Sequence, residues 1–358
     1  MFCLFNLMEP QLRIAIVGNA NSIHTVRWVS WLEKKGHEVS IFSLKDGEKC
    51  TYFGPEPRLD RSLIIDLGND VRKTTTKLQA LIDEFKPDLI HGFFLTGHAF
   101  YAGRMDNYPV VVTAMGSDVL VHPKESKLLS WVIRKTGNNS MKVICPPLLV
   151  ENLVKLGVEE KKIVTNLIGI NTDIFKPLEK ENCILFSRGF RDIYNPKVVA
   201  DAIVLVHKRE PGIKFYLAGD GPLRKCIEEK LINHNVDFTG QLSENELGRI
   251  MGKSKIVISS SLSDSIPLTI FEAMACGSIL IASNNHGHRQ WDKEEYPILF
   301  FGKNDSQKLA DIIVKSFYNE TLLKRALSRG PELVKLNWSW EKQANLILKE
   351  YKTIIQSF

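Results

Sequence analysis

No run of apolar residues approaches the roughly 18–20 needed to cross a bilayer, so no membrane-spanning helix is expected. The six cysteines, Cys3, Cys50, Cys145, Cys183, Cys226 and Cys276, are scattered and form no CxxC pair. That spacing argues against a disulfide framework or a structural zinc site and for a reducing compartment. Basic residues never run to five in a row, and aromatics are not interleaved with arginines, so nucleic acid is not an expected partner. The G-x-G-x-x-G dinucleotide fingerprint is missing: the first apolar strand leads into Gly18-Asn19-Ala20-Asn21-Ser22, which argues against a nicotinamide cofactor. No DxD-like element closes a strand, and His, Asp and Glu do not cluster at ligand spacing, so no essential metal is expected. The apolar Met1–Met8 stretch is too short and lacks the basic residues of a signal peptide. It reads as an extension ahead of the first strand of a cytoplasmic protein.

What is present is ordinary in amount and regular in order. The chain has 358 residues, 44% hydrophobic and 25% charged, with a net charge of +6. That length suits two domains, and the mild positive charge suits anionic small substrates or an anionic membrane surface. Short, continuously apolar strands alternate with helices. The strand Leu12–Val17 precedes a helix over 23–35 ending at Gly36, and a strand follows at Glu38–Ser43. A helix at Lys73–Phe85 precedes strands at Asp88–His91, Val110–Thr113 and Val143–Cys145. The pattern breaks around Asn166–Leu178, where Gly169, Asn171, Asp173 and Pro177 mark a connection. It restarts with strands at Cys183–Ser187, Lys214–Ala218, Val236–Thr239, Lys255–Ser259, Ser278–Ser283 and Ile298–Phe301. Helices follow at Ser306–Tyr318, Glu320–Leu336 and Trp340–Ile355. Buried parallel strands separated by helices predict an α/β protein of two Rossmann-like domains. Ligands of such sheets sit at the carboxyl ends of the strands, and with two domains the expected site is the cleft between them.

The most informative segment is Ser259-Ser260-Ser261-Leu262-Ser263-Asp264-Ser265-Ile266-Pro267-Leu268-Thr269-Ile270-Phe271-Glu272-Ala273-Met274-Ala275-Cys276-Gly277. It leaves a strand and enters a short helix. Pro267 suits the first helical position, Ser265 or Ile266 the N-cap and Gly277 the residue just past the C-cap. The free N–H groups of Leu268 and Thr269, with the helix dipole, favour a phosphate. Asp264 and Glu272 flank this position. An ionised carboxylate only accepts hydrogen bonds and can take two adjacent sugar hydroxyls. The eight-residue spacing alone is weak among 41 acidic residues; the whole segment is specific.

That segment resembles the Glu-x7-Glu signature of retaining glycosyltransferases of the family 4, glycogen-synthase-like type, and the resemblance runs from about Arg13 to the end. It implies a GT-B architecture. An N-terminal acceptor-side domain (1–168) and a C-terminal nucleotide-sugar domain (169–340) would be followed by a C-terminal helix (341–358) crossing back to the first domain. It also implies that Glu272 holds ribose hydroxyls and that Asp264, where the family usually has Glu, lies near hydroxyls of the donor sugar. Ser187-Arg188-Gly189-Phe190 looks like the strand end whose Arg grips the donor diphosphate, as a bidentate guanidinium would. The lysine that normally follows is absent, leaving Arg191 or Lys197 as substitutes. Gly219-Asp220-Gly221-Pro222 is similar to the family's turn beside the nucleotide, and would be a tight turn in any case. Phe238-Thr239-Gly240-Gln241-Leu242 resembles the strand end that reads the base through its backbone. Gly287 stands in the loop that approaches the donor sugar, with Gln290 where Glu is common. In the first half, Gly18 and Asn19 match the loop beside the donor, and His24 follows as either a cleft residue or a packed one. His91 or, preferentially, His98 would contact the transferred sugar as a catalytic residue beside Arg188 and Asp264. Met115-Gly116-Ser117-Asp118 looks like the family's His-Gly-Ser/Thr-Asp element with Met115 replacing the His; Asp118 would face the acceptor.

The resemblance implies metal-independent transfer of a hexose-type sugar from a UDP- or GDP-sugar to an acceptor hydroxyl, by front-face attack, in assembly of cell-surface polysaccharide or glycoconjugate. The acceptor would be a glycan or lipid-linked, with no cofactor beyond the donor. Lys124–Lys135 either packs on the sheet or rests on an anionic bilayer at the inner face of the membrane. The alternative function is binding of a sugar nucleotide without transfer.

Overall fold

The computed structural model describes residues 10–44, 50–53, 64–167, 169–264, 267–292 and 296–358, with residues 64–69 as helix backbone only. The Met1–Met8 extension and the Ser265 or Ile266 cap lie outside the described residues. The chain divides into two compact units, Met1–Leu167 with Ala344–Phe358, and Ile168–Gln343.

Unit 1 holds a parallel sheet of β1 (Arg13–Val17), β2 (Glu38–Ser43), β3 (Cys50–Tyr52), β4 (Leu89–Phe93), β5 (Val110–Thr113), β6 (Lys142–Cys145) and β7 (Ile163–Thr165). Their order across the sheet is β3-β2-β1-β4-β5-β6-β7. Unit 2 holds β8 (Glu181–Ser187), β9 (Lys214–Ala218), β10 (Val236–Gly240), β11 (Ser254–Ser259), β12 (Ile279–Ser283) and β13 (Ile298–Phe301) in the order β10-β9-β8-β11-β12-β13. All pairings are parallel.

These are doubly wound sheets, and each reverses its winding once. The reversal falls between β1 and β4 in unit 1 and between β8 and β11 in unit 2. At such a point the two strand-end loops diverge and leave a crevice at the carboxyl edge. The central strands are covered on both faces: Ile14, Ile16, Leu89, Ile90, Ile184, Leu185, Ile256, Val257, Leu280 and Ile281 are all at 0% exposure. Each such side chain contributes about 1.5–3 kcal/mol on burial.

The helix Leu268–Ala275 leaves β11 and ends as its residues dictate. Gly277 adopts φ +62, its N–H donates to Met274 O and the Ser278 N–H donates to Ala273 O. This pair of bonds is a Schellman closure, and the left-handed conformation it requires suits glycine. At the other end the helix starts one residue later than the sequence suggests. Pro267 is the N-cap rather than the first helical residue.

Several elements depart from the sequence expectation. The helix placed at Lys73–Phe85 runs Ile64–Phe85, although Gly68 and Asn69 are weak helix formers. The strands β3 and β7 are three-residue edges, too short for periodicity to declare them. A helix at Glu244–Lys253 carries a complete capping box between Ser243 and Glu246, a local signal that the alternation of apolar residues does not report. Pro331 lies inside the helix Glu320–Leu333, and Val334–Trp338 continues as a π-helix. Proline removes a ladder N–H, and the chain relieves this by widening the next turn.

The last helix, Trp340–Ser357, buries Ala344, Leu348, Tyr351 and Ile354 on one stripe. Residues 344–358 pack with unit 1. There the Trp28 indole N–H donates to the Tyr351 hydroxyl over 3.0 Å. The Tyr351 hydroxyl also pairs with His91 Nδ1, and His91 Nε2 pairs with Thr113 Oγ1 at 2.7 Å. One assignment satisfies the chain of bonds: the Tyr351 O–H donates to Nδ1, and Nε2–H donates to Thr113.

Candidate functional site

In unit 2, the strand-end loops after β8 and β11 meet at the winding reversal. The Arg188 guanidinium pairs with the Asp264 carboxylate, both largely buried at 18% and 13% side-chain exposure. The ring of Tyr194 lies 5.3 Å from the Arg188 guanidinium carbon. Further bonds join the two loops. The Ser260 hydroxyl donates to Tyr194 O at 2.7 Å, and the Leu262 N–H donates to Ile193 O at 2.8 Å. Arg188 Nε and Ser187 Oγ are buried without a hydrogen-bond partner. Buried polar atoms usually find one, so this strand end carries two unsatisfied donors.

The glycines proposed beside the nucleotide are packed against this same loop. A Cβ at Gly219 would lie 2.5 Å from Arg188 O, and one at Gly221 would lie 2.6 Å from Phe190 O. Their part is to let the turn after β9 press on the backbone that carries Arg188. Gly287 is likewise committed to backbone: a Cβ there would fall 1.9 Å from Asp264 O. The close approach is thus to the backbone of Asp264.

Leu268 and Thr269 form the first turn of the helix after Pro267, with Thr269 and Pro267 buried and Leu268 half-buried. Glu272 is half-buried on the next turn. Leu242 is half-buried after β10. Arg191 is exposed at the start of a short 3-10 turn. Lys197 is paired with Asp192 at 3.1 Å, so of the two substitutes for the missing lysine it is the one already engaged.

In unit 1, a cavity of about 310 Å³ is lined by Asn19, Ser22, His24, Thr25, Phe93, Phe94, His98 and Met115. It lies at the carboxyl edge of β1 and β4, again at the winding reversal. The structure therefore joins Asn19 and His24, from the stretch after β1, with His98, from the stretch after β4. Gly18 is buried behind Asn19, where a Cβ would meet Phe93 and Thr25 at 3.2 Å. Burial, and then the nearby Arg27 charge, lower the His24 pKa. His98 is 4% exposed, and its Nε2 accepts from the Leu44 N–H at 3.1 Å. His91 lies in the interior, its pKa lowered by burial to about 3.

Asp118 requires a correction. It is 0% exposed and does not face an acceptor. Its carboxylate accepts from the N–H groups of Leu95 (2.9 Å), Met115 (3.0 Å) and Gly116 (2.8 Å). Burial raises its pKa, and those three backbone bonds oppose the rise. Phe94, one residue before Leu95, holds φ +71, a strained value for a bulky side chain. Asp118 ties down the strained loop that lines the cavity.

The sequence reading missed Tyr194, the unpartnered Ser187 hydroxyl and a buried cluster of Ser259, Ser261, Ser283, Asn285 and His288. The run of serines at the end of β11 was visible, but their partners come from β12 and the turn after it. Among the described residues, no three His, Cys, Asp or Glu side chains are grouped to hold a metal. Among the described residues, no helix is long and apolar enough to cross a membrane. The helix Lys127–Asn139 does pack on unit 1 through Leu129, Val132 and Ile133. It also leaves Leu128 and Trp131 exposed at 45% and 44%.

Comparisons with known proteins agree with this geometry. The family described as "Glycosyl transferases group 1" matches residues 170–332, and "Glycosyl transferase 4-like" matches residues 13–146. An uncharacterized glycosyltransferase of Methanocaldococcus jannaschii is 27% identical over 273 residues, covering 75% of this chain and 76% of that protein. The alpha-monoglucosyldiacylglycerol synthase of Streptococcus pneumoniae is 25% identical, covering 81% of this chain and 73% of its own length. An alpha-1,4-N-acetyl-D-galactosaminyltransferase of Campylobacter jejuni, acting on a diphospho-undecaprenol-linked saccharide, is 24% identical, with 84% and 86% covered. Among solved structures, a glycosyltransferase from Rickettsia africae superposes with a TM-score of 0.78 at 18% identity, covering 98% of this chain and all of that one. Anabaena HepE in complex with UDP and glucose gives 0.73 at 13% identity, covering 96% and 100%.

Proposed function

Since the chain belongs to the two-domain glycosyltransferases of the GT-B fold, we propose that it transfers a hexose-type sugar, with retention, from a UDP- or GDP-sugar to an acceptor hydroxyl. The observation that carries this reading is the Arg188–Asp264 pair at the winding reversal of unit 2, with two unsatisfied donors beside it.

Arg188 has one guanidinium edge on Asp264 and a buried Nε–H still to place. A diphosphate entering there gains charge-assisted bonds and the dipole of the helix starting at Leu268. Glu272, on that helix, accepts from ribose hydroxyls, and Asp264 from hydroxyls of the donor hexose. In transfer, the bond from the anomeric carbon to the diphosphate oxygen breaks as the acceptor oxygen bonds to that carbon on the same face. The acceptor's proton passes to the departing diphosphate oxygen. The chain's part is electrostatic: Arg188 and the first-turn N–H groups stabilise the charge that develops on the leaving group. No cofactor or metal is assigned a step.

The unit 1 cavity, with Asn19, His24 and His98, takes the hydroxyl-bearing part of the reaction. Relatives that act on diacylglycerol and polyprenol-linked saccharides support a lipid-linked or glycan acceptor in cell-surface assembly. Leu128 and Trp131, beside Lys124 and Lys127, supply a face for peripheral contact with an anionic membrane from the cytoplasmic side.

The test is calorimetry with UDP and GDP, followed by a donor screen by mass spectrometry. One nucleoside diphosphate binds, and Glu272→Ala weakens it about 10–100-fold, the loss of hydrogen bonds to a charged group. Absence of binding by either nucleotide would sink the assignment.

A further inference from the structure

We propose that His288 is a positioning residue that fixes the Asp264 carboxylate for the donor sugar, acting as a neutral imidazole through the strand ends of β11 and β12. The inference rests on the reading of unit 2 as the donor-binding unit.

His288 is at 0% exposure, as are Ser259, Ser261 and Ser283, and Asn285 is at 4%. Its Nδ1 lies 2.8 Å from Ser283 O. Asn285 Nδ2, a donor, also lies 3.0 Å from Nδ1 but donates over the shorter 2.7 Å to Ser261 O; the Ser283 carbonyl is the nearer neighbour of Nδ1 and only accepts, so we assign the ring proton to Nδ1. Nε2 is then an acceptor, and the Ser259 hydroxyl lies 3.0 Å away to donate to it. The ring thus bridges the last residue of β11 to the last residue of β12. Two further bonds converge on one carbonyl: the Ser283 hydroxyl donates to Ser261 O at 2.6 Å, and Asn285 Nδ2 donates to it at 2.7 Å. Asn285 Oδ1 in turn accepts the His288 backbone N–H at 2.9 Å. These bonds anchor the start of the loop that runs from Ser261 to Asp264. Its end is anchored by the contact of Gly287 with Asp264 O, which leaves no room for a Cβ. Asp264 is therefore held from both sides by the residues around His288, and it presents its carboxylate to Arg188.

The imidazole is placed to stay uncharged. Burial lowers its pKa, the Arg188 charge lowers it further, and Asp264 and the Ser283 carbonyl oppose this. Apolar replacement would leave the buried Ser259 hydroxyl without its ring partner, the costly case, while the Ser283 carbonyl keeps the Asn285 N–H at 2.8 Å.

If His288 acts through Asp264, its loss removes recognition of the hexose and spares the nucleoside diphosphate, which is held by Glu272 and Arg188. The experiment compares UDP-hexoses with UDP, and GDP-hexoses with GDP, by calorimetry at pH 7.5, in wild type, Asp264→Ala, His288→Phe and the double variant. The hexose increment is the ratio of the two affinities. His288→Phe cuts that increment several-fold and leaves nucleoside diphosphate affinity within about threefold. The double variant loses no more than Asp264→Ala, because coupled residues are not additive. His288→Gln, which keeps a hydrogen-bonding end, restores part of the increment. An unchanged increment in folded His288→Phe, or additive losses in the double variant, would overturn the proposal. If His288→Phe does not fold, the 15N shifts of the His288 ring in the wild-type protein decide. A neutral Nδ1–H ring at pH 7.5 supports the proposal, and the other tautomer or an imidazolium refutes it. If wild type binds no nucleotide or sugar nucleotide, the donor reading itself fails. The ring shifts, with the Asp264 carboxyl 13C shift in wild type and His288→Gln, still test the positioning: a changed carboxyl shift upholds it and an identical one removes it.

Discussion

At the scale of single residues, the candidate site rests on one guanidinium and on places where no side chain fits. Arg188 is planar, permanently charged and able to hold phosphate by two parallel bonds, which lysine cannot do. Arg188→Lys therefore weakens nucleoside diphosphate binding about tenfold by calorimetry while the fold is retained; equal affinity would show that a point charge suffices. Gly287→Ala puts a methyl group 1.9 Å from Asp264 O. Neither partner is a flexible side-chain end, so the backbone must shift, at about 1–3 kcal/mol for overpacking of this kind. A lowered thermal midpoint and a weakened hexose increment are expected together. Some of this was legible in the sequence. The residue types in Asp264–Glu272 and at Arg188 carry their chemistry wherever they stand. What the glycines do was not legible, since the atoms that exclude a Cβ come from residues 23 and 31 positions away, as with Gly287 on Asp264 and Gly219 on Arg188. The same holds for Asp118. The resemblance of Met115-Gly116-Ser117-Asp118 implied a carboxylate facing the acceptor, and only the three converging N–H groups show that it is a buried tie.

At the scale of elements, the last helix is pinned to unit 1 by the bonds from Trp28 to Tyr351 to His91 to Thr113. Tyr351→Phe removes the hydroxyl that accepts from the Trp28 indole N–H and pairs with His91 Nδ1 in a buried setting. The cost is about 1–3 kcal/mol, read as a lower urea midpoint. The same network makes stability depend on pH. The buried His91 titrates at about 3 against 6.5 for an ordinary imidazole. Between those values the unfolded chain takes up a proton that the folded chain refuses, so stability falls as pH drops through that window and is fully present above it. The slope due to this group is at most about 1.4 kcal/mol per pH unit. In His91→Gln, the urea midpoint falls less steeply from pH 6.5 towards 4 than in wild type; parallel curves would remove His91 from the account. Long apolar strands such as β1, β8 and β11 were evident from composition, because a strand covered on both faces needs no alternation. The edges β3 and β7 were not, being three residues each.

At the scale of the whole molecule, a net charge of +6 accompanies an exposed apolar pair, Leu128 and Trp131, set among Lys124, Lys127, Arg134 and Lys135. The membrane contact proposed above predicts co-sedimentation with vesicles containing anionic lipid. Binding falls as salt rises, because screening shortens the reach of the basic residues, and Trp131→Glu reduces it several-fold. Binding to neutral vesicles with equal strength would contradict this. The sequence by itself determined the central strands, the longer helices between them and the α/β class, since each follows from local periodicity, from glycine and proline at element ends and from the length of apolar runs. It also determined the chemical types at the site. Only the tertiary structure decided which of them meet. Strand order places β8 beside β11 and β1 beside β4, and this adjacency brings Arg188 to Asp264 across 76 residues and Asn19 to His98 at one cavity. Strand order is set by the packing of helices on both faces of a sheet, a property of the assembled layers that no single segment contains.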